Sequence, residues 1–293
     1  MVSNLLVRID LSRRDFSKGQ RKIAEYIEEH YDTAAFMTAS KLGEVVGVSE
    51  STVVRFASQI GYEGYPYLQK AMQEMIRDKL NSLQRIEVTT GRIGGDVVES
   101  VLNQDIDKIR RTIEEVSRED FRRAVDAIIN AENIYIFGVK SASYIASFFG
   151  YYLDLIFGNV HMLNSTSRTT TYEKLFRITE KDVMIGISFP RYSTMAVDAM
   201  SFAHEKGANV IAITDSMISP LVADADAVLL ARSDIASVVD TLVAPLSLIN
   251  ALLVAIVIER KEEIKSTFSV LEQVWVDQNL YTADASVEKD ENA

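Results

Sequence analysis

The 293-residue chain contains no cysteine, which excludes a disulfide framework and any thiolate metal site. The absence suits a reducing compartment. Histidine is almost as scarce: there are three, His30, His161 and His204, and none stands at HxxxH or HxxE spacing. They read as ordinary surface or edge residues rather than metal ligands or catalytic bases. A long uninterrupted apolar run is missing too. The most apolar stretch, Thr241 to Ile258, is broken by Pro245 and Asn250 and reads as a buried helix, not a membrane span. The opening MVSNLLVRIDLSRRDFSKGQ lacks the continuous apolar centre of a secretory signal. These absences predict a cytoplasmic protein with no membrane partner, no metal and no cofactor.

Positive charge is short as well, and unevenly so. The net charge is −11. Residues 1–80 carry 11 Lys and Arg against 11 Asp and Glu, whereas residues 81–293 carry 20 against 31. A neutral N-terminal part joined to an acidic remainder indicates two modules with different partners. The length fits two domains at about 150 residues each. An acidic bulk does not hold polyanions by its overall field, so any nucleic-acid contact must be local and lie in the first module.

What is present begins with an amphipathic helix starting near Ser17, with Ile23, Ile27 and Tyr31 at four-residue steps. Its first turn holds Lys18, Arg21 and Lys22, the unfavourable sign for a helix dipole unless an anion lies close by. Next comes MTASKLGEVVGVSESTVVRFASQIGYEGY. Leu42, Val45 and Val46 share one face of a short helix, and Gly47 supplies the left-handed residue that stops it. Val48 follows as a buried plug. Ser49 serves as the N-cap of a second helix with Val53, Phe56 and Ile60 inward. Two short helices around a Gly-containing turn make a helix-turn-helix unit, although a plain helical hairpin has the same pattern. In such a unit the N-terminal end of the second helix enters the DNA major groove. The groove-facing positions are then Ser49, Glu50, Ser51 and Arg55, with Val54 at the edge. Thr52 and Lys41 are placed to reach phosphates. Arg55 is the residue able to read guanine bidentately.

The helical pattern runs from Leu68 to Gln84, and TTGRIGGD then breaks it as a hinge. VVESVLNQDIDKIRRTIEEV reads as a further amphipathic helix with Val98, Leu102, Ile106, Ile109 and Ile113 inward. Ser117 and Asp120 begin a capping box for the helix after it. The acidic tail ADASVEKDENA is expected to be disordered.

From residue 133 short apolar runs alternate with helical patterns. NIYIF, NVHML, DVMIGI, NVIAI and AVLLA read as five strands of a parallel sheet covered on both faces. Such sheets bind ligands beyond the carboxyl ends of their strands, where the strand order reverses. With order 2-1-3-4-5 the reversal lies between the first and third strands. Their exit loops are GVKSAS, from Gly138, and SFPRYS, from Ser188. Each leads into a helix N-terminus, which favours an anion. Lys140, Ser141, Ser143, Ser188, Arg191, Ser193 and Thr194 are the effector-binding candidates. Ordinary helix capping by the serines, and a surface ion pair for Arg191, are the plainer roles. The helix VVDTLVAPLSLINALLVAIVIER is apolar on more than one face and suits packing both on the sheet and across a twofold axis. Trp275, the only tryptophan, is placed to anchor the C-terminal helix.

The run Gly47-Val48-Ser49, Thr52-Val53-Val54-Arg55-Phe56 and Gly61, with the aromatic continuation GYEGYPYLQKAM, resembles the N-terminal domain of the RpiR family of bacterial transcription regulators. Gly43 departs from the alanine usual in such units and is expected to cost the first helix about 1 kcal/mol. Residues from about 130 to 260, through IFG, IGIS, AHEKGANVIAITDS and SPLVADADAVLL, resemble the SIS (sugar isomerase) domain, which binds phosphosugars. There Lys140 stands where that family usually has a second glycine, and Ala142 where it has a phosphate-binding serine. Its usual Ser-x-Ser-Gly-x-Thr loop is here Ser188-Phe189-Pro190-Arg191-Tyr192-Ser193. The resemblance to RpiR/MurR regulators implies an all-α helix-turn-helix domain (1–80), a helical linker (81–122), an αβα SIS-type domain with a five-stranded parallel sheet (123–265), and a C-terminal helix and tail (266–293). It implies a regulator, expected to be a repressor, whose grip on double-stranded operator DNA responds to a phosphosugar or related anionic metabolite. A homodimer or homotetramer is expected, and no catalytic residue. The alternative is an aldose–ketose sugar-phosphate isomerase of SIS type, for which Glu173 or His161 would be the base. A ligand-independent architectural DNA binder is a third reading, opposed by the acidic charge.

Overall fold

A computed structural model of the chain describes residues 5–76, 86, 95–163, 165–233 and 240–280. Most of the TTGRIGGD stretch and the acidic tail lie outside the described residues. The chain divides into two compact units that meet, along the sequence, between Val101 and Leu102.

The first unit is helical: α1 (Leu5–Ser12), α2 (Lys18–Ala34), α3 (Ala39–Val46), α4 (Glu50–Gln59) and α5 (Tyr65–Ile76). Ser17 opens α2 with a reciprocal capping box to Gln20, two amide donors being satisfied at once. Thr38 caps α3 through the Lys41 amide. Gly47, at φ 75° and ψ 42°, ends α3 in the left-handed conformation that a side chain would strain. Ile23, Ile27, Leu42, Val53, Phe56, Leu68 and Met72 form the core. The inward set of α4 is as the spacing predicts. On α3 Leu42 is buried, but Val45 is exposed and Val46 and Val48 are only partly covered. An eight-residue helix has room for one fully buried stripe, and α2 and α4 already occupy it.

Gly43 has a different role from the one expected. A methyl group there would lie 2.8 Å from the Val48 carbonyl oxygen and 3.3 Å from the Glu50 amide. The glycine lets α3 close onto the turn, and the Val48 amide donates to the Gly43 carbonyl at 2.8 Å.

Two helices, α6 (Val97–Glu115) and α7 (Arg118–Asn130), precede the sheet. The Ser117 hydroxyl accepts from the Asp120 amide at 3.1 Å. Then follow β1 (Ile134–Gly138), α8 (Ser141–Phe157), β2 (Val160–Leu163), α9 (Arg168–Leu175), β3 (Val183–Ile187), α10 (Thr194–Glu205), β4 (Asn209–Thr214), a single turn at Pro220–Val222, β5 (Ala227–Leu230), α11 (Val243–Glu259) and α12 (Lys261–Asp277). The expected boundaries at 122/123 and 265/266 both fall inside helices.

The sheet is parallel throughout, in the order β2-β1-β3-β4-β5. Alternate strand residues point to opposite faces. Ile134, Ile136, Ile185 and Ile213 pack with α7, α8 and α11. Tyr135, Phe137, Met184 and Val210 pack with α9 and α10. Helices on both faces of one sheet make the αβα sandwich. The long apolar stretch is α11, with Leu248, Ile249, Leu252 and Ile256 buried and Val254 and Ile258 exposed. Among the described residues no single helix is long and apolar enough to cross a membrane. Trp275 is half-buried on α12.

Helix α6 overturns its expected orientation. Val98, Leu102, Ile106 and Ile113 are exposed, Leu102 at 57%, and Ile109 is half-buried. Lys108, at 6%, and Thr112 are buried instead. The reason is polar docking onto the segment that leaves β5. The Thr112 hydroxyl accepts from the Arg232 amide at 2.9 Å, and the Arg232 guanidinium pairs with Glu115. Thr241 donates to Asp105 at 2.8 Å, and Lys108 pairs with the same carboxylate at 3.3 Å. The polar row of α6 thus faces the sheet domain, and its apolar stripe lies on the outer face.

Candidate functional site: a nucleic-acid-reading helix and an anion crevice

In the first unit α3, the Gly47 turn and α4 form the helix-turn-helix. Ser49 stands at the N-cap of α4, but its side chain makes no cap bond to the backbone. Its hydroxyl lies 3.0 Å from that of Ser51 and 2.8 Å from that of Thr52. Three clustered hydroxyls at an exposed helix start can turn towards phosphate oxygens. Arg55 is exposed, and its Nε donates to the Ser51 carbonyl at 3.2 Å. Lys41 is exposed and pairs with Glu44 at 2.9 Å.

The packing adds residues that the sequence pattern left aside. A methyl at Gly19 would lie 3.3 Å from Val48 and 3.4 Å from Thr52, so the start of α2 abuts the start of α4. Exposed Lys18, Arg21 and Lys22 are thereby brought beside the reading helix. Their sign at a helix N-terminus is unfavourable in isolation and favourable beside a phosphate backbone. The signal in the sequence was that wrong sign.

In the second unit the reversal of strand order falls between β1 and β3, as the 2-1-3-4-5 order requires. Gly138 is registered beside Ile187, so the two exit loops leave the sheet at one level. The helix after β1, α8, covers one face, and the helix after β3, α10, covers the other. In open parallel sheets ligands bind between loops that diverge in this way.

Both cations of these loops have left-handed backbones. Lys140 has φ 56° and ψ −129°, and Arg191 has φ 63°. Each side chain is exposed. Such conformations belong to glycine, and a residue with a Cβ holds them at a cost of about 1–3 kcal/mol.

Two of the hydroxyls brace the loops. Ser188 is buried, and its Oγ accepts from the Ser193 amide at 3.1 Å. The Thr214 hydroxyl donates to the Ser188 carbonyl at 2.9 Å and lies 2.8 Å from the Ser219 hydroxyl. The Tyr192 hydroxyl donates to Asp215 at 2.8 Å. Ser188 is therefore a brace of the loop. Ser143 donates to the Lys140 carbonyl at 2.6 Å and holds the strained turn. Ser141 is half-buried in the first turn of α8, Ser193 stands at the N-cap of α10, and Thr194 is exposed in its first turn. Tyr192, Thr214, Asp215 and Ser219 are the residues here that spacing alone did not single out.

Residues 3–79 match the helix-turn-helix domain of the rpiR family, and residues 127–255 match the SIS domain. The chain has the RpiR-family architecture. An uncharacterized HTH-type transcriptional regulator of Haemophilus influenzae is 25% identical over 236 residues, 77% of this chain and 79% of that protein. The HTH-type transcriptional regulator HexR of Escherichia coli is 25% identical over 225 residues, 73% of each. Among solved structures, the sugar isomerase domain of an RpiR transcription factor from Sphaerobacter thermophilus has a TM-score of 0.59 at 26% identity, covering 61% of this chain and 99% of that one. The NanR protein of Vibrio vulnificus, complexed with ManNAc-6P, has a TM-score of 0.58 at 23% identity, covering 96% and 100%.

In this RpiR-family chain the two candidate isomerase bases line a cavity apart from the two exit loops. His161 and Glu173 line an open cavity of about 520 Å³ at the β2 edge, with Tyr135, Lys174 and Arg177. Neither exit loop contributes to it. His161 stacks on Tyr135 at 4.8 Å, whose hydroxyl is pushed above its usual pKa by burial and then by Asp182. Both curated relatives named above are called HTH-type transcriptional regulators, and transcriptional regulation is favoured over isomerisation.

Proposed function

We propose that this regulator binds double-stranded operator DNA through α3 and α4 and releases or engages it in response to a phosphorylated sugar or related anionic metabolite. Residues 1–80 are the DNA-binding part and 123–265 the effector-binding part, joined by 81–122 and followed by the 266–293 tail. Arg55 contacts bases, and Ser49, Ser51, Thr52 and Lys41 contact phosphates. Lys140, Ser141, Arg191, Ser193 and Thr194 face the metabolite, with Ser143 and Ser188 holding the loops in shape. The observation that carries this is the pair of strained cations at the heads of two adjacent strands in an otherwise acidic part of the chain. Protein backbones hold strain where a ligand contact requires it. The NanR structure with ManNAc-6P supports a phosphosugar class. A homodimer or homotetramer fits a helix-turn-helix protein, since two reading helices about 34 Å apart meet successive major grooves. The cytoplasm is the matching location.

Thermal unfolding against phosphosugars, free sugars and small carboxylates tests the effector half. A ligand at 100 times its Kd adds about 2.7 kcal/mol. One phosphosugar stabilising the wild type and not Arg191→Ala supports the crevice; equal stabilisation of both removes it. Arg55→Ala is expected to abolish the preference for operator over random DNA while the protein stays folded.

A further inference from the structure

The exposed arc of α4 has a composition that the helix-turn-helix pattern alone does not explain. Glu50, Ser51, Val54, Arg55 and Ser58 are exposed, while Val53, Phe56 and Ala57 are buried. At about 100° per residue, Glu50, Val54, Ser58, Ser51 and Arg55 follow one another around about 140° of the helix surface. Val54 therefore lies within the reading arc, not at its edge. It is 40% exposed, and every other side chain in the arc is polar.

A β-branched side chain is a middling helix former, so the position gains nothing from local propensity. Its neighbours in the arc suit a nucleic-acid edge: a carboxylate, two hydroxyls and a guanidinium. Arg55 commits Nε to the Ser51 carbonyl, and among the described residues its two terminal nitrogens make no hydrogen bond. Those two nitrogens are the pair that a guanine edge accepts. The major groove offers a single apolar group, the 5-methyl of thymine. A valine one residue from that arginine, on the same face, is complementary to it.

We propose that Val54 reads the 5-methyl group of a thymine beside the guanine contacted by Arg55. This rests on the DNA-binding reading of α4. The full-length protein, wild type, Val54→Ala and Arg55→Ala, is used to select duplexes from a random library. The wild type is expected to select a guanine with an adjacent thymine. Arg55→Ala loses the selected sequence altogether, and Val54→Ala loses only the thymine. Replacing that thymine by deoxyuridine is expected to weaken wild-type binding about fourfold, the worth of one buried methyl, and to leave Val54→Ala unchanged. Circular dichroism confirms that each variant is folded. Equal loss in both proteins on deoxyuridine substitution, or a thymine retained by Val54→Ala, overturns the inference while the DNA-binding reading stands. If the wild type selects no sequence, that reading and the inference fall together.

Discussion

The Tyr192 hydroxyl donates a 2.8 Å hydrogen bond to Asp215, a carboxylate with 0% exposure at the end of β4. It ties the loop leaving β3 to the neighbouring strand, across the Thr214–Ser219 hydroxyl pair. Taking a donor from a buried carboxylate costs about 1–3 kcal/mol. Tyr192→Phe is therefore expected to lower the urea unfolding free energy by that amount. It should also weaken metabolite binding, because Arg191 precedes the tie. Wild-type values for both in the variant would mean that the loop is held by other contacts.

Lys140 and Arg191 lead to the opposite pairing of effects. Glycine relieves about 1–3 kcal/mol of left-handed strain and adds about 0.5–1 kcal/mol of chain entropy to the unfolded state. Lys140→Gly and Arg191→Gly are each expected to stabilise the apo protein by about 1 kcal/mol. Stabilisation by the anionic metabolite should fall in both. A destabilised glycine variant would show that the loops are relaxed as they are.

Gly43→Ala separates local propensity from packing. Propensity alone favours alanine by about 1 kcal/mol. The added methyl, 2.8 Å from the Val48 oxygen, must push the turn away from α3. Overpacking against backbone typically costs about 1–3 kcal/mol. Net destabilisation by denaturant unfolding, with weakened DNA binding, is the expected result. A stabilised Gly43→Ala protein would mean that the turn yields freely.

Tyr65 sets an alkaline limit on the helical unit. Burial pushes its hydroxyl up to about 12 from 10, and the group donates to the Met37 carbonyl at 2.7 Å. The unfolded chain loses this proton first as pH rises, so the stability it contributes is complete below about pH 10 and is lost towards pH 12. Stability measured from pH 9 upwards should fall less steeply in Tyr65→Phe. At neutral pH that variant should cost about 1 kcal/mol, since Gln69 still donates to the same carbonyl at 2.8 Å. Parallel profiles for the two proteins would remove Tyr65 as the titrating group.

Much of this molecule is written in short-range pattern. Five apolar runs became five strands, because a residue buried on both faces of a parallel sheet has to be apolar along its whole length. Gly47 stopped α3 and Ser17 started α2, because cap chemistry is decided within four residues. The α4 stripe of Val53, Phe56 and Ile60 was legible for the same reason. The two exit loops were found because Lys140 and Arg191 stand out among hydroxyls and small residues.

What the sequence by itself determined is thus the order and kind of the elements, the sheet with its two exit loops and the inner face of α4. Tertiary structure alone decided which face of α6 turns inward, since its polar row meets Arg232 and Thr241, which lie far along the chain. It also decided that Lys18 and Arg21 sit beside α4, that Gly43 is a contact and not a flaw, and that Asp215 anchors Tyr192. Periodicity reports that a face is covered; only long-range packing reports by what.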